Sequence, residues 1–159
     1  MDNITVNFKV NGRDVQVETA PNRTLLDVLR DDLGLTGAKD GCGGEGECGA
    51  CTVLMDGTAV NACLVLAGQA EDSAVLTIEG LGNEKNPHPL QTAFVNHGAV
   101  QCGFCTPGAV IAAAGLLSEN PAPTEEQIRE ALSGNLCRCT GYSKMISAVQ
   151  KAAGELADG

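Results

Sequence analysis

The chain opens in strict alternation: Ile4, Val6, Phe8 and Val10 are apolar, while Thr5, Asn7 and Lys9 between them are polar. A two-residue period puts one set on a buried face and the other in solvent, which predicts a half-buried strand. Asn11-Gly12 supplies a hairpin turn, and Val15 and Val17 carry the alternation into a second strand. The period then lengthens. Thr24 is placed to cap a helix in which Leu25, Leu26, Leu29 and Leu33 form an apolar stripe ending at Gly34. After a glycine-rich interval, residues 52–55 predict a strand, Asp56-Gly57 a turn, 59–65 a partly buried segment and 75–79 a closing strand. This half reads as a small mixed sheet with one helix laid across it.

From about Leu81 the alternation stops and helical punctuation takes over. Residues 81–89 read as a linker. Leu90, Phe94 and Val95 suit a short helix, and Thr106-Pro107 opens a second, the threonine as cap and the proline at the first helical position. Asn120-Pro121-Ala122-Pro123 breaks the chain; Thr124 and Gln127 then make a capping box for a third helix, which Gly134 ends. Met145, Ile146, Val149, Ala152, Ala153 and Leu156 share one face of a fourth. The expected organisation is a sheet-rich half over residues 1–80, the linker 81–89, and a helical half over 90–159.

Composition narrows the function classes. Twenty acidic against ten basic residues give a formal net charge of -10, which argues against phosphate-rich partners and anionic membrane surfaces. Phe8, Phe94, Phe104 and Tyr142 are the only aromatics, too few for platforms on which nucleobases stack. The longest uncharged apolar stretch near the middle, residues 109–117, is too short to span a bilayer. Met1-Asp2-Asn3-Ile4 shows no basic region followed by an apolar one, so a cytoplasmic location is expected, where thiols stay reduced and disulfides are rare.

That compartment turns attention to the eight cysteines, which fall into two sets of four. Cys42, Cys48, Cys51 and Cys63 form the first; Cys102, Cys105, Cys137 and Cys139 form the second. Four thiolates brought together by loops are the usual shell of an iron–sulfur cluster, so two sets predict two clusters and an electron conduit. In the first set, five glycines lie within the nine positions 41–49, leaving the backbone free to wrap an anion and aim N–H groups at it. Its spacing is close to the plant-type ferredoxin pattern of Cys, four residues, Cys, two residues, Cys. It departs by one residue, because five separate Cys42 from Cys48. In so glycine-rich a loop the added residue either bulges outward or reshapes the loop. In the second set, Cys102 and Cys105 lie at a helix start, whose dipole favours a negative cluster, and Cys137-Arg138-Cys139 places two thiolates on a tight turn 31 residues later.

The segments 41–53, 101–108 and 134–142, in this order, resemble the small iron–sulfur subunit of the molybdenum hydroxylases, the group of xanthine dehydrogenase, aldehyde oxidoreductase and carbon monoxide dehydrogenase. The resemblance covers essentially the whole chain. It implies an α+β fold: an N-terminal plant-type ferredoxin-like β-grasp domain followed by a C-terminal four-helix bundle, each holding one [2Fe-2S] cluster. It implies electrons leaving a molybdopterin centre on a large partner subunit, passing to the set containing Cys102, then to the set containing Cys42, and on to FAD on a medium subunit, in a dimer of heterotrimers. It also implies that Gln101 and Cys139 lie at the pterin contact. No residue of the chain is expected to be catalytic.

Two other readings stand beside this one. A free-standing two-cluster carrier would need the same cysteines, and a structural zinc site would also use four thiolates, although usually in two short Cys pairs or with histidine. His88 and His97, the only histidines, lie outside both motifs; an exposed linker residue is expected for His88 and a helix-end role for His97. Glu45 and Glu47 read as a solvated loop. Phe104 and Tyr142 are expected to pack over a cluster, and Arg138 to offset part of its charge.

Overall fold

The computed structural model describes residues 2–158, so Met1 and Gly159, the outermost positions of the two expected halves, lie outside the described residues. Strand β1 (Ile4–Val10) and strand β2 (Arg13–Thr19) form the hairpin, in a register that pairs Ile4 with Thr19 and Val10 with Arg13. Asn11 and Gly12 turn it with φ of 52° and 78°, both left-handed, as a two-residue hairpin turn matching strand twist requires. Val6, Phe8 and Val10 are buried and the residues between them exposed. Strands β3 (Thr52–Met55), β4 (Thr58–Asn61) and β5 (Ala74–Leu76) complete a five-stranded sheet of order β2-β1-β5-β3-β4, in which only β1 and β5 run parallel.

Helix α1 (Leu25–Asp27) starts where expected, since Thr24 accepts from the Asp27 amide at 3.1 Å and the Asp27 carboxylate accepts from the Thr24 amide at 2.8 Å. It widens at once into a π-helical turn, Val28–Asp32. Leu25, Leu26, Val28 and Leu29 pack with the inner face of the hairpin, Val53 and Val75 into one core.

The expected closing strand over 75–79 is shorter than its sequence pattern. Strand β5 stops at Leu76, and Ile78–Leu81 forms a single helical turn, α2. The Asn11 side chain causes this: its Oδ1 accepts from the Thr77 amide at 2.9 Å and its Nδ2 donates to Thr77 Oγ1 at 3.0 Å, taking the backbone out of the sheet. Ile78 and Leu81 then pack against the second core.

That core gathers helices α3 (Pro89–Asn96), α4 (Thr106–Glu119), α5 (Glu125–Leu132) and α6 (Ser143–Asp158) around Leu90, Phe94, Val110, Ile128, Met145 and Val149. Helix α4 explains the uncharged stretch 109–117. It packs on β3 and β4 on one side and on α3 and α5 on the other, so it is buried almost all round and has no polar face. Among the described residues no helix is long and apolar enough to cross a membrane. Thr124 and Gln127 form the expected capping box of α5. Val95 and Leu156, read as part of apolar stripes, are instead 68% and 43% exposed.

Two terminal residues differ from expectation. Cys105 already has helical φ and ψ, so Thr106 sits inside the first turn of α4 and does not cap it; its buried hydroxyl has no partner. His88 is a half-buried cap of α3 rather than an exposed linker residue: its Nδ1 accepts from the Leu90 amide at 3.2 Å, and Gln91 Oε1 accepts from the His88 amide at 2.9 Å. His97 ends the same helix, its amide donating to the Ala93 carbonyl. Burial lowers the His88 pKa below its ordinary 6.5, so the unfolded chain takes up the proton more readily than the folded one. The contact therefore contributes stability above about pH 6.5, lost as the pH falls through the depressed folded value. We expect urea midpoints to fall between pH 7 and pH 5 by a component that His88→Asn removes; equal slopes in the two chains would contradict it.

Candidate metal centres

The eight cysteines are unbridged thiols gathered into the two sets expected from their spacing. Within each set the thiols lie close enough to shift one another's acidity: Cys42 neighbours Cys48, Cys51 neighbours Cys63, Cys102 neighbours Cys139, and Cys105 neighbours Cys137. Cys48 also neighbours Cys51, and Cys102 neighbours Cys105. Among the described residues no group of three or more His, Cys, Asp or Glu side chains is disposed around a single metal ion.

The first set is built on the loop between the π-helical turn and β3. Gly43 and Gly44 are consecutive left-handed residues at φ 75° and 84°, with open space around the positions their Cβ atoms would take. Asp40 Oδ1 accepts from both amides, at 2.7 and 3.2 Å. Cys42 and Cys48 remain neighbours although five residues separate them. Asn61 at the end of β4 donates to the Gly46 carbonyl at 2.8 Å, and Cys63 follows in the next turn. Glu45 and Glu47 are exposed.

Thiol acidity follows position. Cys42 is lowered to about 7 by the backbone amides of Cys48 and Glu47, whereas burial pushes Cys51 up to about 12. The second set repeats the contrast. Burial also pushes Cys105 to about 12; at Cys137 burial acts upward too, but hydrogen bonds from the Thr140 hydroxyl and amide outweigh it and bring the thiol to about 7. Thr140 Oγ1 and N lie 3.1 and 3.4 Å from Cys137 Sγ. Tyr142, left-handed at φ 69°, turns its hydroxyl to accept from the Cys137 amide at 2.8 Å, so it anchors the loop backbone. Gln101, Cys102 and Cys139 are exposed on the rim, with Arg138 beside them.

The sets face each other across a cavity of about 230 Å³ bordered by Cys48, Phe104, Cys105, Leu136 and Cys139. The Lys39 ammonium lies 5.9 Å from the Phe104 ring centroid, and its Nζ also donates to the Gly37 carbonyl at 2.9 Å. The Leu136 amide donates to the Cys48 carbonyl at 2.8 Å, a direct backbone contact between the sets.

These residues fit a [2Fe-2S] group at each set. Such a cluster needs two thiolates on each of two irons, and thiols in two pairs per set are that arrangement. The orphaned Thr106 hydroxyl beside Cys105 lacks an acceptor of the kind that cluster sulfur supplies. The half-buried and acidified thiols alike must lose protons to bind metal.

Comparison with known proteins agrees. A family model described as a 2Fe-2S iron-sulfur cluster binding domain matches residues 8–78, and one described as a [2Fe-2S] binding domain matches 77–150. The nicotinate dehydrogenase small FeS subunit of Eubacterium barkeri is 53% identical over 96% of each chain. The chain belongs to the small iron–sulfur subunits of the molybdenum hydroxylases. Within this molybdenum hydroxylase family, quinoline 2-oxidoreductase from Pseudomonas putida 86 superposes with a TM-score of 0.93 at 43% identity, covering 99% of this chain and 98% of that one. The aldehyde oxidoreductase of Desulfovibrio desulfuricans superposes at 0.94 with 46% identity, and there the match occupies 17% of a longer chain. The α+β fold of a mixed sheet followed by helices is shared with that enzyme, and the chain carries two 2Fe-2S binding domains.

The spacing motifs named the eight cysteines as candidate ligands, and the resemblance named Gln101. Neither gave a role to Asp40, Lys39, Thr140 or Asn135. Thr140 and Asn135 lie inside the segment 134–142, where an asparagine two residues before Cys137 was the only sequence signal.

Proposed function

We propose that this chain is the electron-transfer subunit of a molybdopterin-dependent hydroxylase or dehydrogenase, carrying electrons between a large molybdopterin-binding partner and an acceptor. The pairing of thiols two by two in each set carries the reading, together with family membership. Cys42, Cys48, Cys51 and Cys63 hold one cluster, and Cys102, Cys105, Cys137 and Cys139 the other. A bound [2Fe-2S] group accepts and passes one electron at a time. The chain supplies the thiolates, the amides and hydroxyls aimed at sulfur, and the packing that limits water.

Direction follows from exposure. Cys102 and Cys139 lie on the rim with Gln101, which supports Gln101 and Cys139 as the contact with the partner's pterin. Electrons then cross toward the glycine loop and leave for FAD on a medium subunit. A cytoplasmic dimer of heterotrimers is the assembly we infer. The two buried cores support a ferredoxin-like β-grasp domain over residues 1–80 and a four-helix bundle over 90–159, joined by 81–89. Two of the relatives are named for the N-heteroaromatic compounds nicotinate and quinoline and one for aldehydes; the 53% identity to the nicotinate subunit supports an N-heteroaromatic ring as the substrate class proposed for the complex.

Purification from the native source tests this. A stable complex with molybdenum, and about four irons and four sulfides per copy of this chain, is expected. A monomer passing electrons between separate enzymes would overturn it.

A further inference from the structure

Where the two sets meet, the backbone of three segments comes together too closely for a side chain on Gly49 or Gly108. A Cβ on Gly49, one residue after Cys48, would collide with the Gly134 carbonyl oxygen; a Cβ on Gly108, in the first turn of α4, would collide with the Gly49 carbonyl oxygen. Asn135 fills the centre of this junction. It is buried, its amide nitrogen donates to the Gly49 carbonyl at 3.0 Å and to Thr52 Oγ1 at 3.1 Å, and Thr52 Oγ1 in turn donates to the same carbonyl at 2.6 Å. Its neighbour Leu136 makes the bond to the Cys48 carbonyl, and Cys137 follows immediately.

We propose that Asn135 is a positioning residue that fixes the separation of the two clusters, by clamping the Cys48–Cys51 turn of one set to the Cys137 turn of the other. The proposal rests on the two-cluster reading above. A buried primary amide suits the task because it satisfies two acceptors of the opposite loop at once, and a buried acceptor left without its donor draws in water or shifts. Among the described residues the Asn135 side chain hydrogen-bonds to Gly49 and Thr52 and to no thiol, so its loss moves the sets relative to each other without removing a ligand.

The test uses the full chain, as purified with its clusters. Wild type, Asn135→Ala, Thr52→Val and Thr52→Ser are compared by iron and sulfide content and by paramagnetic resonance of the fully reduced state. Magnetic interaction between the two clusters splits the signals there. We expect about four irons and four sulfides in every chain, loss of the interaction splitting in Asn135→Ala and Thr52→Val, and its return in Thr52→Ser, which keeps the hydroxyl. Electron exchange between the clusters is expected to slow by about tenfold in the first two variants. Splitting and exchange unchanged in Thr52→Val and in any Asn135→Ala chain that keeps its iron would overturn the proposal. Should Asn135→Ala lose a cluster, the volume-preserving Thr52→Val decides alone. A wild-type chain without iron would instead remove the two-cluster reading, and the proposal with it.

Discussion

A Cys105→Ala chain is expected to hold about two irons in place of about four, to keep the paramagnetic signal of the first set and to lose that of the second. Cys105 and Cys137 form one of the two thiol pairs of the second set, so without Cys105 one iron of that cluster keeps a single thiolate and the two-iron cluster is not held. Alanine offers no replacement ligand. The loss extends beyond the site. Cys105 stands at the start of α4, packed against the helical core, and its partner Cys137 lies after a gap of 31 residues, in the loop that leads to α6. Metal shared between them ties those segments together, and binding free energy at such a site is folding free energy. Thermal unfolding should therefore split, the helical half melting earlier while the sheet half keeps its midpoint. In the assembled complex, electron flow from substrate to acceptor should fall by at least about a hundredfold, since even loss of a ligand's supporting partner can cost that much. Iron assay, resonance spectra, circular dichroism and substrate-to-acceptor turnover of the complex check the four parts. A variant that still held about four irons would show that Cys105 is not a ligand.

What was legible in the sequence was local. The two-residue period of Ile4 to Val10 and the stripe from Leu25 to Leu29 are set by neighbours in the chain, and both elements form where expected. The eight cysteines stood out for another reason: thiols gathered at short spacings in two sets of four have few uses besides holding metal. What was not legible depends on residues distant in sequence. Strand β5 ends at Leu76 because Asn11, 66 residues before Thr77, offers its backbone a better partner than the sheet. Helix α4 was legible as a helix, but the lack of a polar face over 109–117 is explained only by its place between sheet and helices. His88 looked like linker until Gln91 closed a cap around it. Which thiol meets which within a set is likewise a property of the folded loops. The effect of the added residue between Cys42 and Cys48 is also a property of the folded loop, in which Asp40 holds the amides of Gly43 and Gly44 and the two thiols stay neighbours.

The Gly49→Ala variant is expected to be the most damaging change that leaves every thiol in place. Gly49 is left-handed at φ 70°, which costs an L-residue about 1 to 2 kcal/mol. The added methyl also meets the Gly134 carbonyl oxygen, and it lies 3.0 Å from the Asn135 Cα, so the collision is with backbone that no rotamer change can move aside. Forcing a methyl into such a contact costs a further amount of about 1 to 3 kcal/mol. The carbonyl of Gly49 is at the same time the acceptor for the Thr52 amide, the Thr52 hydroxyl and Asn135, so any relaxation loosens those bonds too. A total of about 2 to 5 kcal/mol is a large share of the roughly 5 to 15 kcal/mol by which domains are ordinarily stable. Gly12→Ala separates the two causes, because Gly12 is also left-handed, at φ 78°, yet has open space where its Cβ would stand. That control should cost about 1 to 2 kcal/mol, and the excess in Gly49→Ala, read from urea unfolding of the two chains under one condition, measures the packing of the junction. Equal losses in both would mean that the two cysteine loops do not touch in solution as closely as their backbones do here.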